Sequence, residues 1–526
     1  MQTVSKSLGW MLVLGLSAFS GCKKSSPGRS YAAMDAGMGF GSAVVAQDAA
    51  DDAAFNGEDY NHITENDFVA VADDPRSTFS IDVDTASYAN TRRFLSDGNL
   101  PPANAVRIEE FINYFDYAYP APQGDEPFSV SSEVAACPWN DEHVLVHLGL
   151  QGKSVAQDTI PTRNLVFLLD VSGSMNAPDK LPLLKSGLMM LADQLRESDR
   201  VAIVVYAGAS GVVLQPTSEK RKVKRALSRL RAGGSTAGAA GLELAYQVAQ
   251  ENFAADGINR VILASDGDFN VGASSQGELV DMIEEKRKSG VFLSVLGFGT
   301  GNLNDAMMEQ IADHGNGSYA YIDSKREAQR VLVQQADSLL VPIAKDVKLQ
   351  VEFNPGQVEG YRLIGYENRV LAHEDFNDDT KDAGEIGAGH SVTALYEVIP
   401  AGTGELTPSV DALEYQEEGQ LAAASQSDEL MTVKVRYKAP DGDQSEKLSF
   451  PVTRNDRDYE STSDNFRFSA AVAAFGMLLR DSAYKGDASW ALARDLAGGA
   501  TGQDRDGSRA EFLQLAETAR ALQRRR

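Results

Sequence analysis

The stretch that decides the fold runs from Asn164 to Ser174 and reads Asn-Leu-Val-Phe-Leu-Leu-Asp-Val-Ser-Gly-Ser. Residues 165–169 form an unbroken apolar run, which is typical of a strand buried on both faces of a sheet. The run leads directly into Asp170, and the hydroxyl groups of Ser172 and Ser174 follow at alternate positions. Open α/β sheets bind ligands beyond the carboxyl ends of their strands. This stretch therefore predicts a buried strand followed at once by a binding loop.

Apolar strands alternate with amphipathic helices on either side of this strand. The predicted strands are 165–169, 201–206, 260–264, 291–296 and 319–322, with 212–214 as a short edge strand. The predicted helices are 181–195, 223–230, 238–253, 278–288, 304–312 and 327–340. Alternation of this kind is typical of a doubly wound, mostly parallel, Rossmann-like sheet. We therefore predict an α/β domain over residues 161–342.

Two further loops of this domain carry oxygen ligands at the same edge of the predicted sheet. The segment Gly233-Gly234-Ser235-Thr236 precedes a helix, and Asp266 follows the strand at 260–264. Mg²⁺ prefers carboxylate, hydroxyl and water oxygens, whereas Zn²⁺ favours histidine and cysteine. Asp-x-Ser alone is also a common turn, so the prediction rests on three elements in order. The predicted metal ligands are Asp170, Ser172, Ser174, Thr236 and Asp266, with Mg²⁺ (or Mn²⁺ or Ca²⁺) as the cofactor.

The regions that flank this domain have a different pattern. Residues 76–160 predict a small α+β region, and residues 343–526 predict a domain that is β-rich to about residue 460 and helical beyond it. The predicted strands here are 77–84, 128–133, 144–150, 347–353, 391–399 and 431–437. The predicted helices are 88–95, 108–117, 466–479 and 510–523. The chain thus predicts a central α/β domain between two accessory regions.

The N-terminal residues predict export and lipid anchoring. The apolar run from Leu8 to Phe19 follows a lysine and is too short to cross a bilayer comfortably, so residues 1–21 are predicted to be a signal peptide. The small pair Ser20-Gly21 before Cys22 resembles the lipobox of bacterial lipoproteins, which implies that Cys22 is acylated. Ordinary cleavage of a freely secreted protein and an uncleaved anchor are the alternatives.

The residues after Cys22 predict a tether and a location. Residues 22–75 are rich in Ala, Gly, Ser and Asp, a composition that buries too little apolar surface to fold, so we expect a flexible tether. Lys23 rather than aspartate follows the cysteine, which favours the outer membrane, with the periplasmic and surface-facing sides both open. Cys137 then has no disulfide partner, and we expect it to be a small buried hydrophobic side chain.

The charge of the chain excludes one class of partner. Its formal net charge is −26 and its isoelectric point is near 4.7. Such a chain repels phosphate backbones, so we expect no nucleic-acid partner. Cations and basic surfaces are better suited to it.

The five predicted ligands resemble the metal-ion-dependent adhesion site (MIDAS) of the von Willebrand factor A (vWA) family, in which D-x-S-x-S is followed by a threonine and then an aspartate. The resemblance implies direct ligation by Ser172 and Ser174, direct or water-mediated ligation by Thr236, and mostly water-mediated contacts from Asp170 and Asp266. It also implies that the metal keeps Lewis acidity for a carboxylate of a partner protein.

A wider resemblance covers most of the chain. The segments Phe79–Tyr88 and Arg107–Phe115 are similar to the N-terminal accessory region of a bacterial family of vWA lipoproteins. The segments Asp375–Asp379, Ala383–Gly387 and Ala394–Val398 are similar to its C-terminal domain. That family has no settled biochemical activity, so this resemblance implies architecture and leaves function open.

Three readings of function follow. A cell-envelope lipoprotein whose vWA domain mediates metal-dependent protein–protein interaction or adhesion is the leading one, and we expect no enzyme. A structural envelope scaffold and a metal-assisted hydrolase are the alternatives, although no general base stands out. The sequence has no P-loop lysine after Gly233-Gly234 and no G-x-S-x-G motif, so nucleotide hydrolysis and serine-hydrolase chemistry lack their residues.

Three other groups of residues have features of a binding site. His143 and His147 share one face of a predicted strand without a third metal ligand. Asp375, Asn377 and Asp379 alternate as in a calcium loop, but the glycine and glutamate of an EF-hand are absent, which favours a solvated acidic turn. Asp268, two residues after Asp266, either tunes the metal site or ends the strand.

Overall fold

The structure is a computed structural model, and it describes residues 57–156, 158–234, 238–267, 276–406, 423–455 and 457–525. The predicted signal peptide, Cys22 and most of the predicted tether lie outside these residues. The same is true of Thr236 and Asp268. No helix in the described part of the chain is both long and apolar enough to cross a membrane.

The strands of the described residues are numbered in chain order. They are β1 (Val69–Ala70), β2 (Arg76–Ser80), β3 (Phe128–Cys137), β4 (Asn140–Gly152), β5 (Arg163–Asp170), β6 (Arg200–Tyr206), β7 (Ser210–Thr217), β8 (Ile258–Ser265), β9 (Val291–Phe298), β10 (Tyr319–Ile322), β11 (Pro342–Phe353), β12 (Val358–Ile364), β13 (Ile386–Gly387), β14 (Ser391–Pro400), β15 (Glu429–Lys438) and β16 (Ser445–Thr453).

The α-helices are numbered in the same way. They are α1 (Ala86–Ser96), α2 (Ile108–Asn113), α3 (Leu181–Gln194), α4 (Lys220–Arg229), α5 (Gly238–Glu251), α6 (Gln276–Arg287), α7 (Asp305–His314), α8 (Lys325–Gln329), α9 (Ala336–Leu340), α10 (Asp464–Arg480), α11 (Trp490–Gly498) and α12 (Ser508–Gln523).

The central domain contains a six-stranded sheet whose strands lie in the order β10-β9-β8-β5-β6-β7. Neighbouring strands are parallel except for the edge strand β7, which is antiparallel to β6. All eight residues of β5 are buried because helices cover both faces of the sheet. Leu165 and Phe167 pack into the core on one face, and Val166 and Leu168 pack into the core on the other. The predicted doubly wound, mostly parallel α/β sheet is confirmed.

The two accessory regions do not form separate sheets. One sheet has the order β1-β12-β14-β4-β3, so β4 of the first region pairs along its length with β14 of the second. The other sheet contains β13, β11, β15 and β16, with β2 beside β11. Leu148, Val351 and Val433 belong to one core between these sheets. The expectation of two separate regions, 76–160 and 343–526, is therefore corrected to one two-sheet structure built from both.

The helices of the two accessory regions also pack against each other. The ring of Phe115 lies 4.8 Å from that of Phe468, and Phe111 lies 6.0 Å from Phe475, centroid to centroid. Helices α2 and α10 approach closely, because a Cβ atom at Gly476 would lie 2.9 Å from Cγ1 of Ile108. One aromatic core thus joins the helices of the N-terminal accessory region to those of the C-terminal one.

Buried ion pairs connect these helices to the central domain. Nη2 of Arg92 lies 2.6 Å from Asp323 and 2.7 Å from Glu327, and Arg107 lies 2.5 Å from Asp305. Each pair joins α1, or the residue before α2, to α7, to α8 or to the loop between β10 and α8 of the central domain. Breaking a buried pair of this kind leaves an uncompensated charge, so these contacts hold the domains in place.

Residues 57–75 are part of the fold, which corrects the predicted extent of the tether. Residues 69 and 70 pair with β12, and Glu58 accepts hydrogen bonds from Arg93 and from the backbone of Gly301, both at 2.9 Å. The hydroxyl of Tyr60 accepts a hydrogen bond from Asn90 at 2.7 Å. Composition alone missed this segment because its few apolar side chains pack against residues far away in the chain.

Other predicted elements differ in extent. The helix predicted over 327–340 is interrupted, since a π-helical turn at Arg330–Gln334 separates α8 from α9. The strand predicted over 77–84 ends at Ser80. The sequence analysis predicts no strand at β12 or β16 and no helix at α11, although the structure has all three. Strand β16 is largely solvent-exposed, so its apolar alternation is weak.

Candidate functional site

The site lies where β5 and β8 end side by side at the carboxyl edge of the central sheet. Asp170 is the last residue of β5, Asp266 follows β8, and both side chains are fully buried. The two strands are parallel neighbours, so their final residues lie together. The sheet therefore brings two carboxylates to one edge, as the sequence predicted.

The glycine loop is fastened to the loop after β5. The backbone N–H of Gly233 donates to the carbonyl of Val171 at 2.8 Å, and that of Gly173 donates to the carbonyl of Gly234 at 3.1 Å. Gly234 has a φ of +99°, which a side chain would disfavour. These bonds bring the described part of the loop up to the D-x-S-x-S segment. Thr236 itself lies outside the described residues, and its ligand role stays a prediction.

The two serine hydroxyls lie within hydrogen-bonding distance of each other. Oγ of Ser172 lies 2.8 Å from Oγ of Ser174, and the Ser172 backbone N–H donates to Oδ1 of Asp170 at 2.8 Å. A 3₁₀ turn, Gly173–Asn176, begins directly after Ser172. The chain therefore curls at this point, and the two hydroxyls lie within hydrogen-bonding distance.

Asp170 lies in an environment that disfavours its negative charge. Burial raises its pKa to about 6, hydrogen bonds from Ser172 lower it, and the charge of Asp266 raises it again. The hydroxyl of Ser265 also donates to Oδ2 of Asp170 at 3.3 Å. A buried carboxylate with a raised pKa gains from a nearby cation, because the cation restores the charged form.

Lys180 is also a member of the site, although the sequence did not predict it. Its Nζ donates to Oδ2 of Asp266 and to Oδ1 of Asn302, both at 2.9 Å, and the side chain is buried. Gly299 makes room for it, since a Cβ atom there would lie 2.2 Å from Cε of Lys180. A lysine at the start of a helix gives no pattern that would have identified it.

The donor chemistry of the described residues fits a small divalent cation. Asp170, Ser172, Ser174 and Asp266 offer carboxylate and hydroxyl oxygens only, which Mg²⁺ and Mn²⁺ accept. Within the described ranges there is no cluster of three or more His, Cys, Asp or Glu side chains suited to a metal. The predicted site is of another kind, because two of its four described candidate ligands are hydroxyl groups.

His143 and His147, the two histidines on one face of a predicted strand, form hydrogen bonds with protein side chains. Nδ1 of His143 lies 2.7 Å from Glu397, and its Nε2 lies 2.9 Å from Glu405. Nε2 of His147 lies 2.9 Å from the hydroxyl of Tyr119. These contacts connect strands and loops within the accessory sheets, so the two histidines have a structural role.

The structure agrees with the predictions of a surface turn around Asp379 and of a buried Cys137. Asp379 pairs with Arg436 at 2.9 Å and accepts a hydrogen bond from Ser445, as an acidic surface turn does. Cys137 is 3% exposed, and burial raises the pKa of its thiol. The expectation that Cys137 is a small buried side chain is confirmed.

Three family models match successive parts of the chain. Residues 54–147 match a model described as von Willebrand factor, residues 164–335 match the von Willebrand factor type A domain, and residues 338–522 match the C-terminal domain of "Uncharacterized protein YfbK". Together they cover the central domain and both accessory regions.

Individual proteins show the same relationship. The chain is 45% identical to "Uncharacterized protein YfbK" of Escherichia coli over 469 residues, which cover 88% of this chain and 80% of that protein. It is 31% identical to a Synechocystis protein over 31% of this chain and 39% of that one. A solved von Willebrand factor type A structure from Catenulispora acidiphila is 17% identical, with a TM-score of 0.41, and covers 73% of this chain and 89% of that one. The chain therefore belongs to the YfbK family of vWA-domain proteins, which share a C-terminal domain of their own.

Proposed function

We propose that the vWA domain binds a divalent metal, Mg²⁺ or Mn²⁺ in preference to Ca²⁺, and uses it to hold a carboxylate of a partner protein. The observation that carries the proposal is the convergence of Asp170, Ser172, Ser174 and Asp266 at one sheet edge. Interaction with other proteins is a common function of vWA domains, which supports binding rather than catalysis.

Each described residue has a part in this proposal. Ser172 and Ser174 would contact the ion through their hydroxyls, which already lie 2.8 Å apart. Asp170 orients the loop by accepting the Ser172 N–H, and Asp266 supplies a second negative charge. When bound, the metal would supply a Lewis-acidic position for an incoming carboxylate. Because few of the groups in direct contact with the ion would be charged, the ion would keep its affinity for that carboxylate.

The location forms a second part of the proposal. We infer that the protein is exported and anchored by lipid at Cys22, so that the vWA domain acts at the bacterial cell envelope. The motivation is the apolar run before the Ser-Gly-Cys segment, which resembles a lipobox. The protein would then bind its partner from a membrane surface, with no part for nucleic acid.

Calorimetric titration of the purified protein with MgCl₂ and MnCl₂ tests the metal site. We expect one ion per chain, and a metal concentration of about a hundred times Kd should add roughly 2.7 kcal/mol of stability. Asp170→Ala should abolish both effects, and EDTA should reverse the stabilisation. Asp375→Ala, in the surface turn, is the matched control and should bind metal as the unmodified protein does. An absence of heat with both metals and no change in melting temperature would contradict the proposal.

A further inference from the structure

One face of α4 is strongly basic in an otherwise acidic protein. Seven of the twelve residues from Lys220 to Arg231 are lysine or arginine and none is acidic, whereas the whole chain has a net charge of −26. Val223, Ala226 and Leu227 are buried on the core side of the helix. Arg221, Arg225 and Arg229 are exposed and repeat every four residues, so they form one line on the outer face. These three residues are called the arginine row.

The row has no ion-pair partner among the residues that the structure describes. Lys222 pairs with Glu219 at 2.5 Å and Lys224 pairs with Asp193, but in the described part of the chain no ion pair involves Arg221, Arg225 or Arg229. Like charges at four-residue spacing repel one another and destabilise a helix. Nothing within the described fold offsets this repulsion. An anionic partner on the outer face would.

The row leads toward the proposed metal site. Strand β7 is antiparallel to β6, and its last residue, Thr217, pairs with Val201 near the start of β6. Helix α4 therefore begins at the edge of the sheet opposite to Asp170. The chain after α4 returns to the site, because the N–H of Gly233 donates to the carbonyl of Val171 at 2.8 Å. The last arginine of the row is thus the one nearest to the site loops along the chain.

We propose that the arginine row is a docking surface for an acidic segment of the partner protein, whose carboxylates pair with Arg221, Arg225 and Arg229 while another carboxylate reaches the metal. This inference rests on the proposed function. Arg221 and Arg229 are eight positions apart on the helix, which corresponds to about 12 Å along its axis. An extended peptide segment of about four residues spans this distance. Guanidinium groups bind carboxylates through two parallel hydrogen bonds, which makes arginine well suited to this recognition.

The surface favours a protein segment over a membrane. Peripheral membrane helices insert large apolar side chains beside their basic residues. The large exposed hydrophobic side chains among the described residues are Val213, Phe253 and Val370, and none of them lies on α4. A narrow line of charge that leads to a carboxylate-binding site fits a chain of acidic residues better than a flat lipid surface.

Fluorescence anisotropy with a labelled decaglutamate peptide tests the proposal. The row variant is Arg221→Glu combined with Arg225→Glu and Arg229→Glu. Its control carries the same charge change at exposed positions elsewhere: Arg200→Glu, Lys325→Glu and Arg505→Glu. We expect the row variant to bind the peptide at least about tenfold more weakly and the control to change affinity less than about twofold, with binding that weakens as salt rises.

The outcomes separate the two proposals. If the row variant binds decaglutamate as tightly as the unmodified protein, or if the control loses as much affinity, the docking surface is overturned, whatever the calorimetry with Mg²⁺ shows. If the row variant loses binding while EDTA leaves the unmodified protein's binding unchanged, the row is supported and the metal's part in partner binding fails. Row-dependent binding to phosphatidylglycerol vesicles without row-dependent binding to the peptide would assign the surface to membranes and overturn the proposal.

Discussion

The ammonium group of Lys180 donates a hydrogen bond to Oδ2 of Asp266 at 2.9 Å, so the protein places a positive charge of its own on one of the predicted metal ligands. Both side chains are buried, at 6% and 0% exposure. Asp170, the other carboxylate, lies close enough for the charge of Asp266 to raise its pKa. The site therefore holds two negative charges and one fixed positive charge before any metal binds.

Lys180→Met should destabilise the metal-free protein and strengthen metal binding. Removing one partner of a buried ion pair costs about 3–5 kcal/mol, because the carboxylate of Asp266 is left without a counter-charge. The same uncompensated charge attracts Mg²⁺. Urea denaturation in EDTA and in MgCl₂, together with calorimetric titration, measures both effects. Lys325→Met, at an exposed position, is the control. Equal destabilisation with and without Mg²⁺, at an unchanged Kd, would show that Lys180 is independent of the metal.

Stability should depend on pH through His143. Burial lowers its pKa, but the hydrogen bonds to Glu397 and Glu405 outweigh burial and raise the pKa above the usual 6.5. A raised pKa in the folded protein means that protonated His143 stabilises the fold below pH 6.5, and this contribution is lost as the pH rises through the raised value. Each unit of pKa difference is worth about 1.4 kcal/mol.

Urea denaturation of the unmodified protein and of His143→Gln at a series of pH values measures this contribution. The difference in unfolding free energy between the two proteins should be largest in mildly acidic buffer and should shrink as the pH rises above 6.5. His314→Gln, whose ring is about half exposed beside Glu284, serves as the control. A difference that is constant with pH, or that grows with it, contradicts the assignment.

Leu148→Ala should destabilise both accessory regions together. Leu148 is fully buried in β4 and pairs with Ala394 of β14, so its truncation leaves a cavity between the two sheets. Buried Leu→Ala changes cost about 2–5 kcal/mol. Hydrogen exchange should show loss of protection in β3, β4, β12 and β14 as a unit. Val213→Ala, at an exposed position on β7, should leave protection unchanged. Protection that falls only in residues 128–152 would indicate that the two regions fold independently.

Cys22→Ser should release the protein from membranes. The reason is that the proposed lipid is the main membrane attachment that the sequence offers once the signal peptide is removed. Fractionation of cells, with high-salt washing of the membranes, measures the change. Cys137→Ser alters the other cysteine of the chain and should remain in the membrane fraction. A Cys22→Ser protein that still sediments with salt-washed membranes is incompatible with lipid anchoring at this residue.

Local patterns predicted the central domain well. The apolar run 165–169 lies within β5, because a strand that is buried on both faces is apolar throughout. The leucines from Leu181 to Leu191 lie in α3, because a helix that buries one face repeats its apolar residues every three or four positions. The closeness of two of the predicted metal ligands could be predicted from the strand ends. Asp170 and Asp266 directly follow their strands, and parallel neighbours end at one edge.

Contacts between distant residues were not predictable in this way. The pairing of β4 with β14 joins residues about 240 positions apart, and no periodicity within either strand specifies its neighbour. Residues 57–75 have the composition of a tether, yet Tyr60 and Val69 pack into the fold. Their order depends on surfaces that other parts of the chain provide.

The sequence by itself determined the doubly wound sheet, the order of its elements and the places of the candidate oxygen ligands after its strands, because side-chain periodicity and strand-to-loop transitions are local properties of the chain. Only the tertiary structure decided that Lys180 neutralises Asp266, that the accessory regions share two sheets, and that the arginine row leads toward the site. These features depend on which distant surfaces are buried together, and the free energy of that burial is set by the whole fold rather than by any one segment.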